Sequence, residues 1–192
     1  MRFLKFIFLT VTLGLVSLSV KADMTDPLGV QTVPGTLYYG NSFTLSDSPS
    51  VFKDSTNATI SSPYNFTDDY TFTISSASLN SVVTSVDLYN ILGLSNLNGI
   101  LLGVGNPTSV SFIPNIFSPP PGSVTVTDLI LNPVNLSAGD YKIEITGTIT
   151  GLSGGSYAGV INLTSPVAEP EVFGMMLAGL NLIGFMVRRR RV

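Results

Sequence analysis

The amino-acid sequence predicts an all-β fold, a single antiparallel domain of the β-sandwich type that occupies residues 23–165. Three observations predict it. About a quarter of these residues are serine or threonine, glycine and proline recur throughout, and no stretch has a convincing helical period. Short runs of alternating apolar and polar residues are separated by turn signals. Seven or so short strands at this spacing are typical of a sandwich.

The clearest alternation lies at residues 140–146, where Tyr141, Ile143 and Ile145 share one face of the predicted strand. Other strands are predicted at residues 36–45, 70–76, 81–89, 108–113, 123–131 and 156–163. Turn signals are Gly40-Asn41, residues 105–107, residues 119–122, Asn132-Pro133 and residues 151–155. Residues 91–105 are either a strand pair or an irregular loop, and residues 23–34 are expected to be a loose N-terminal segment.

The first 22 residues are typical of a secretory signal peptide. Two basic residues precede an apolar run at residues 6–20, and Val20-Lys21-Ala22 has the small-residue pattern of a cleavage site. Cleavage between Ala22 and Asp23 would leave Asp23 as the new N-terminus. The alternative is an uncleaved anchor, but the run is short for a full membrane span.

Residues 166–192 are predicted to be a membrane-directed tail. The apolar run at residues 172–187 would rise about 24 Å as a helix, somewhat short of the roughly 30 Å hydrocarbon core. Long arginine stems can cover that deficit, and moving their charges across the bilayer costs about 2.5 to 3.5 kcal/mol each, so they stay cytoplasmic. These residues are Arg188, Arg189, Arg190 and Arg191. The domain before the tail is therefore expected to face outward.

Composition argues against several classes of function. Residues 23–168 contain ten acidic residues and two lysines, a net charge of −8 that disfavours nucleic acids and anionic membranes as partners. The chain has no histidine and no cysteine, which excludes Ser-His-Asp and Cys-His catalysis, histidine-ligated zinc and disulfides. Paired carboxylates remain possible in principle, yet Asp68 and Asp69 would point to opposite faces of a regular strand. We expect no enzymatic activity and no cofactor.

The tail resembles a known sorting signal. Ala168-Glu169-Pro170, a glycine-containing apolar segment and a terminal arginine cluster follow one another in the order of the PEP-CTERM signal of Gram-negative bacteria. The resemblance implies export, a transient stay in the inner membrane, and cleavage near the motif by an exosortase, a transpeptidase-like membrane cysteine protease. Ala168 replaces the first proline of the motif, so Glu169 and Pro170 are the matching pair.

The central part of the chain resembles one subgroup of these exported proteins. Residues 66–74 are similar to its F-x-D-x-[YF] signature, which falls here on Phe66, Asp68, Tyr70 and Phe72. Residues 137–141, 146–148 and 154–159 are similar to the C-terminal half of that subgroup. The resemblance implies no particular molecular activity for the domain.

The signature also has a physical interpretation. On a strand, Phe66, Asp68, Tyr70 and Phe72 would share one face, so a carboxylate lies in line with apolar side chains. Because an unpaired buried carboxylate is heavily penalised, we expect Asp68 at the entry of the strand, where loop N–H groups donate to it. The alternative is a calcium site made of Asp68, Asp69 and loop carbonyls, although no EF-hand-like spacing supports it.

The sequence thus predicts an exported surface or extracellular-matrix protein with a structural or interaction role. The resemblance implies exosortase as the processing partner and a link to exopolysaccharide or biofilm. One alternative is a carbohydrate-binding or adhesive module that uses some of the seven tyrosines, most of which we expect in or beside the core. Another is a domain that stays anchored in the inner membrane and faces the periplasm.

Overall fold

Alternation of apolar and polar residues builds most of the described chain into strands. The computed structural model describes residues 22–47, 51–117, 120, 124–166 and 170–189. These residues form strands β1 to β12 and helix α1. The strands are Ala22–Gln31, Gly35–Leu45, Val51–Lys53, Thr59–Ser61, Asn65–Ile74, Ala77–Asp87, Leu94–Val104, Ser109–Ser111, Ile113–Phe117, Thr125–Leu136, Gly139–Ile149 and Gly154–Thr164, and the helix is Pro170–Arg189.

The strands form two sheets. The five-stranded sheet has the order β1-β5-β11-β7-β8, and the seven-stranded sheet has the order β4-β3-β2-β12-β6-β10-β9. Aromatic rings of β2 and β5 meet between the sheets, with ring centroids 4.4 Å apart for Phe43 and Phe66 and 4.6 Å apart for Tyr39 and Tyr70. The predicted all-β, two-sheet architecture is therefore confirmed.

Most of the predicted strands are found, with shifted ends. β2, β11 and β12 cover the runs predicted there, β6 and β10 overlap most of theirs, and β5 begins at Asn65, five residues earlier than expected. The run predicted at residues 108–113 divides into β8 and β9. The Gly40-Asn41 turn prediction is wrong, because both residues lie inside β2 and pair with β12. Asn132-Pro133 lies inside β10 at an interruption of its pairing with β6.

Residues 91–105 and 23–34 differ from their predictions. The first stretch is neither a strand pair nor an irregular loop, since most of it forms the single strand β7. The second is not loose, because β1 pairs with β5 in parallel, from Ala22 opposite Phe66 to Gln31 opposite Ile74. Its polar sequence did not indicate a strand: among residues 24–31, whose side chains the structure describes, only Met24 is buried, at 7% exposure, and Leu28 is half-buried against the core. This pair makes the five-stranded sheet mixed rather than purely antiparallel.

The terminal predictions fall partly outside the described residues. The leader up to residue 21 and the residues Ala168, Glu169, Arg190 and Arg191 lie outside them. Ala22 and Asp23 begin β1, while Pro170, Arg188 and Arg189 belong to α1, which contains the apolar run at residues 172–187. Within the described part of the chain, no helix combines the length and the apolar character that a membrane crossing requires.

Candidate functional site

Strand β5 carries the F-x-D-x-Y signature into the centre of the molecule. Its residues alternate between half-buried and buried along its whole length, and Phe66, Asp68, Tyr70 and Phe72 all face inward. The predicted common face is confirmed. Asp68 is the fourth residue of the strand and is 0% exposed, so the prediction that it lies at the strand's entry is wrong.

Asp68 is held by side chains of the opposite sheet rather than by loop N–H groups. Its Oδ2 atom accepts a hydrogen bond from Asn41 Nδ2 at 2.9 Å and another from the Tyr157 hydroxyl. Its Oδ1 atom is buried and has no hydrogen-bond partner. The backbone N–H of Met24 also lowers the pKa of this carboxyl, which places that N–H close to the carboxylate. Half of the carboxylate is thus satisfied and half is not.

Two pairs of buried hydroxyl groups lie in the same core. The Tyr157 hydroxyl lies 2.8 Å from that of Tyr70, and the Tyr39 hydroxyl lies 2.8 Å from Ser81 Oγ. Ser81 in turn donates to the carbonyl of Val160 at 2.8 Å. These groups belong to both sheets, and each pairing satisfies a polar atom that would otherwise be costly inside an apolar core.

Burial dominates the electrostatics of this site. It raises the pKa of Asp68 to about 6, against the lowering effect of the Tyr157 and Asn41 hydrogen bonds, and the negative charge of Asp54 raises it further. Burial also raises the pKa of Tyr157 far above its usual range, and the charge of Asp68 adds to that rise. Tyr157 therefore remains a protonated donor, whereas Asp68 titrates near neutral pH.

No sequence pattern singled out Asp54, whose neighbour Ser55 contacts Asn41 of this network. Asp54 follows β3 and is 5% exposed. Its Oδ1 accepts from the backbone N–H groups of Thr56 and Ala58, both at 2.8 Å, and from the Thr56 hydroxyl at 2.7 Å. Its Oδ2 is buried without a partner. An Asp followed by Ser-Thr-Asn is a recognisable turn signal, but nothing in it reports proximity to Asp68.

The calcium candidate that pairs Asp68 with Asp69 is wrong in its geometry. Asp69 faces the other side of β5, where its Oδ2 accepts from Lys142 Nζ at 2.9 Å. Lys142 also contacts Glu144 Oε2 at 3.0 Å. One cation cannot be shared by two carboxylates that lie on opposite faces of a sheet. Within the described ranges, no group of three or more Asp, Glu, His or Cys residues is placed to hold a metal ion.

The outward face of the seven-stranded sheet has a groove of about 540 Å³. Three small residues that lie opposite one another across β2, β12 and β6, namely Gly40, Ala158 and Thr84, run through it. Hydroxyl-bearing side chains surround this row: Ser42, Ser55 and Ser156. Tyr38 lies one row away on the same face and is 77% exposed. The groove is shallow, its lining combines these hydroxyl groups with apolar groups such as Val86, and one aromatic ring flanks it.

The tyrosines divide as the alternation predicts. Tyr39, Tyr70, Tyr141 and Tyr157 are buried, and Tyr64 is partly buried against the core. Tyr38 and Tyr89 are exposed. The expectation that most tyrosines belong to the core is therefore confirmed, and two remain available to a ligand.

Comparison with known proteins leaves the family of this chain open. No protein-family model matches it, and no curated protein matches it. Among solved structures, the pre-peptidase C-terminal domain of a collagenase from Bacillus anthracis is 13% identical, with 74% of this chain and 99% of that domain covered and a TM-score of 0.38. A likeness at that identity and score carries no argument about function.

Proposed function

We propose that this chain is an exported, exosortase-processed protein of the cell surface or extracellular matrix. In this proposal the leader at residues 1–22 directs export, and the tail at residues 166–192 holds the domain at the inner membrane until cleavage near Glu169-Pro170. The β-sandwich then has a structural or binding role in an exopolysaccharide matrix or biofilm. Its chemistry is that of a non-enzymatic protein without a catalytic cofactor.

The exposure of an apolar helix is the observation that supports this proposal most. The apolar side chains of α1 that the structure describes are 60–78% exposed, among them Met175, Leu177 and Ile183. No described residue of α1 belongs to the core cluster of the sandwich. Exposed apolar side chains favour apolar surroundings, and lipid would supply them for a run followed by four arginines.

Separation of the tail from the folded domain also supports processing. β12 ends at Thr164 and α1 begins at Pro170, so Ala168 and Glu169 lie between the last strand and the helix. A proline fixes its own φ and favours an extended conformation of the residue before it, which suits a protease groove. Cleavage there would release all twelve described strands as one unit.

Intact mass and cell fractionation of the native protein test this proposal, in cells with and without their exosortase. The expected result is loss of everything beyond the Glu169-Pro170 region and recovery in the matrix only when the enzyme is present. A full-length tail in the inner membrane of both strains would contradict processing and favour the anchored periplasmic alternative.

Replacing Arg188 to Arg191 by serine should abolish normal processing, and unchanged processing of that variant would contradict the role of the cluster.

Carbohydrate binding is a second candidate, favoured by the outward groove. Ser42 and Ser156 offer hydroxyl groups along it, and the exposed ring of Tyr38 lies on the same face, where a sugar could stack. Binding to the matrix polysaccharide of the producing cells should survive high salt and fall at least tenfold in Tyr38→Ala. The matched control is Tyr89→Ala, which removes the other exposed tyrosine, 64% exposed and located in the turn after β6. Equal binding by both variants and the unmodified chain would contradict a site in this groove.

A further inference from the structure

Two buried carboxylates of this domain share a pattern of hydrogen bonds. In Asp54 and in Asp68, one oxygen accepts from two or three donors and the other is buried without a hydrogen-bond partner. Asp69 Oδ1 is also buried without a partner, but the Asp69 side chain is 27% exposed and its Oδ2 is paired with Lys142. Asp54 is 5% exposed and Asp68 is 0% exposed, so bulk solvent does not supply the missing partners. A carboxylate that ligates a metal through one oxygen shows this division, because its second oxygen is held by donors of the protein.

The two carboxylates belong to one cluster. Asn41 Oδ1 accepts from the backbone N–H of Ser55, the residue after Asp54, at 3.1 Å. The amide nitrogen of the same Asn41 side chain donates to Asp68 Oδ2 at 2.9 Å. Ser55 Oγ also contacts the sulfur of Met24 at 3.6 Å, and Met24 lies opposite Asp68 in the β1–β5 register. Residues from β1, β2, β5 and the loop after β3 thus meet here.

No lysine of the domain compensates these two charges. Residues 23–165 contain two lysines. Lys142 binds Asp69 and Glu144 on the opposite face of β5, and Lys53 is exposed. Asn41, which contacts both Asp68 and the backbone of Ser55, brings the two carboxylates into one cluster, and the negative charge of Asp54 raises the pKa of Asp68. Two neighbouring buried carboxylates without a cation are strongly unfavourable in the ionised state.

We propose that Asp54 Oδ2 and Asp68 Oδ1 bind one calcium ion beneath the loop that joins β3 to β4. The ligand atoms are hard oxygens, and the chain offers no histidine or cysteine for a softer metal. Calcium takes six to eight oxygen ligands in flexible arrangements, so backbone carbonyls and water would complete the shell. Magnesium fits less well, because it loses its hydration water reluctantly and this cluster is largely closed to solvent.

This ion would tie the edge of each sheet to the core. The loop with Asp54 joins the edge hairpin β3–β4 of the seven-stranded sheet, and β5 with Asp68 carries the edge strand β1 of the other sheet. The exposed residues Ser55, Thr56 and Asn57 follow Asp54 directly, so the site lies just beneath the surface. Calcium would then stabilise the native state by mass action, since the unfolded chain lacks the assembled site.

Terbium luminescence of the purified full chain tests this inference directly. Terbium is a probe for oxygen-ligated calcium sites. The rings of Tyr157 and Tyr70, whose hydroxyl groups belong to the Asp68 network, would transfer excitation energy to it. We expect saturable, tyrosine-sensitised emission that calcium displaces and that an equal concentration of magnesium does not. Saturating calcium should also raise the melting temperature by about 5 to 10 °C over the chain in EDTA. Absence of both effects would overturn the inference, as would equal displacement by magnesium.

Three conservative variants locate the site. Asp54→Asn keeps the oxygen that closes the turn, and Asp68→Asn keeps an acceptor for Asn41 and Tyr157, but each removes a negative ligand. Either variant should weaken calcium binding at least tenfold. Asp69→Asn is the matched control, since it changes the adjacent residue on the other face and should leave calcium affinity within twofold. If Asp68→Asn fails to fold, the calcium affinities of Asp54→Asn and of the unmodified chain still test the assignment. Loss of affinity in Asp69→Asn alone, or full affinity in Asp54→Asn, would contradict the assignment.

Discussion

Asp68 of the five-stranded sheet accepts a hydrogen bond from the hydroxyl of Tyr157 of the seven-stranded sheet. The bond crosses the interior of the sandwich, and Asn41, also from the seven-stranded sheet, donates to the same oxygen at 2.9 Å. Apolar contacts between two sheets tolerate sliding, whereas a buried polar pair is satisfied in one arrangement only. The signature aspartate therefore fixes how the two sheets lie on each other.

Removing the donor of this bond should destabilise the domain. Tyr157→Phe keeps the ring contacts with Phe43 and Phe66 but removes the hydroxyl donor, so that of the two side-chain donors to Asp68 Oδ2 Asn41 remains. We expect a loss of about 1 to 3 kcal/mol in the free energy of unfolding, measured by urea denaturation. Tyr89→Phe, at an exposed position, should be neutral. Equal stability of the two variants would contradict a structural role for the cross-sheet bond.

In calcium-free buffer, stability should fall as the pH rises from about 4 to 7. Burial raises the pKa of Asp68 from 3.8 to about 6, so between these values the folded state binds more protons than the unfolded state. The unfolding free energy therefore decreases through this window, by on the order of 3 kcal/mol for this group. Urea denaturation at a series of pH values measures it.

Asp68→Asn and calcium provide the controls for this pH dependence. The variant lacks the titrating group, so its free energy of unfolding should not show the decrease between pH 4 and 7 that this group causes. Saturating calcium favours the ionised carboxylate, so it should reduce the pH dependence of the unfolding free energy of the unmodified chain. An unchanged slope in Asp68→Asn would assign the pH dependence to other groups.

Substitution of Gly159 should disturb the core beside Tyr39. A Cβ atom added at Gly159 would lie 2.4 Å from Tyr39 Cζ, and the ring cannot move freely because its hydroxyl is bound to Ser81. Gly159→Ala should cost about 1 to 3 kcal/mol, as overpacking does. Gly179→Ala in α1, where an added Cβ meets nothing within 4 Å, is the matched control and should not destabilise the domain. Thermal melting distinguishes the two.

Loss of β1 should weaken the sandwich. A chain that lacks residues 23–31 no longer buries Met24 and exposes the backbone edge of β5. We expect a loss of about 2 kcal/mol or more from the buried side chain, together with aggregation through the open edge. Urea denaturation and light scattering measure the two effects. A monomeric variant of unchanged stability would show that β1 contributes little.

Loss of the tail should leave the sandwich unaffected. A chain that ends at Pro166 keeps every residue of the described core, since α1 contributes none. The melting temperature should remain within about 2 °C of that of the full chain. A loss of about 1 kcal/mol in the free energy of unfolding would lower it by more than this in a domain of this size. A markedly lower melting temperature would show that the helix packs on the domain.

Local sequence patterns predicted much of the architecture, and their failures have a common cause. The strands at β2, β11 and β12 follow from alternation, because a half-buried strand imposes period two on its own residues. β1 was not predicted, because an edge strand at the end of a sheet buries few side chains and therefore has little apolar alternation. Gly40-Asn41 suggested a turn because these residues favour turns locally, yet pairing with β12 outweighs that preference.

The sequence by itself determined that the domain is all-β, that Phe66, Asp68, Tyr70 and Phe72 share one face, and that histidine and cysteine chemistry is absent. Only the tertiary structure decided the partners of Asp68. Tyr157 is 89 positions away and Asn41 is 27 positions away, and Asp54 reaches the same cluster through a different sheet. The physical reason is one of range: alternation acts between neighbours along the chain, whereas hydrogen bonds and charges act between groups that only sheet packing brings together.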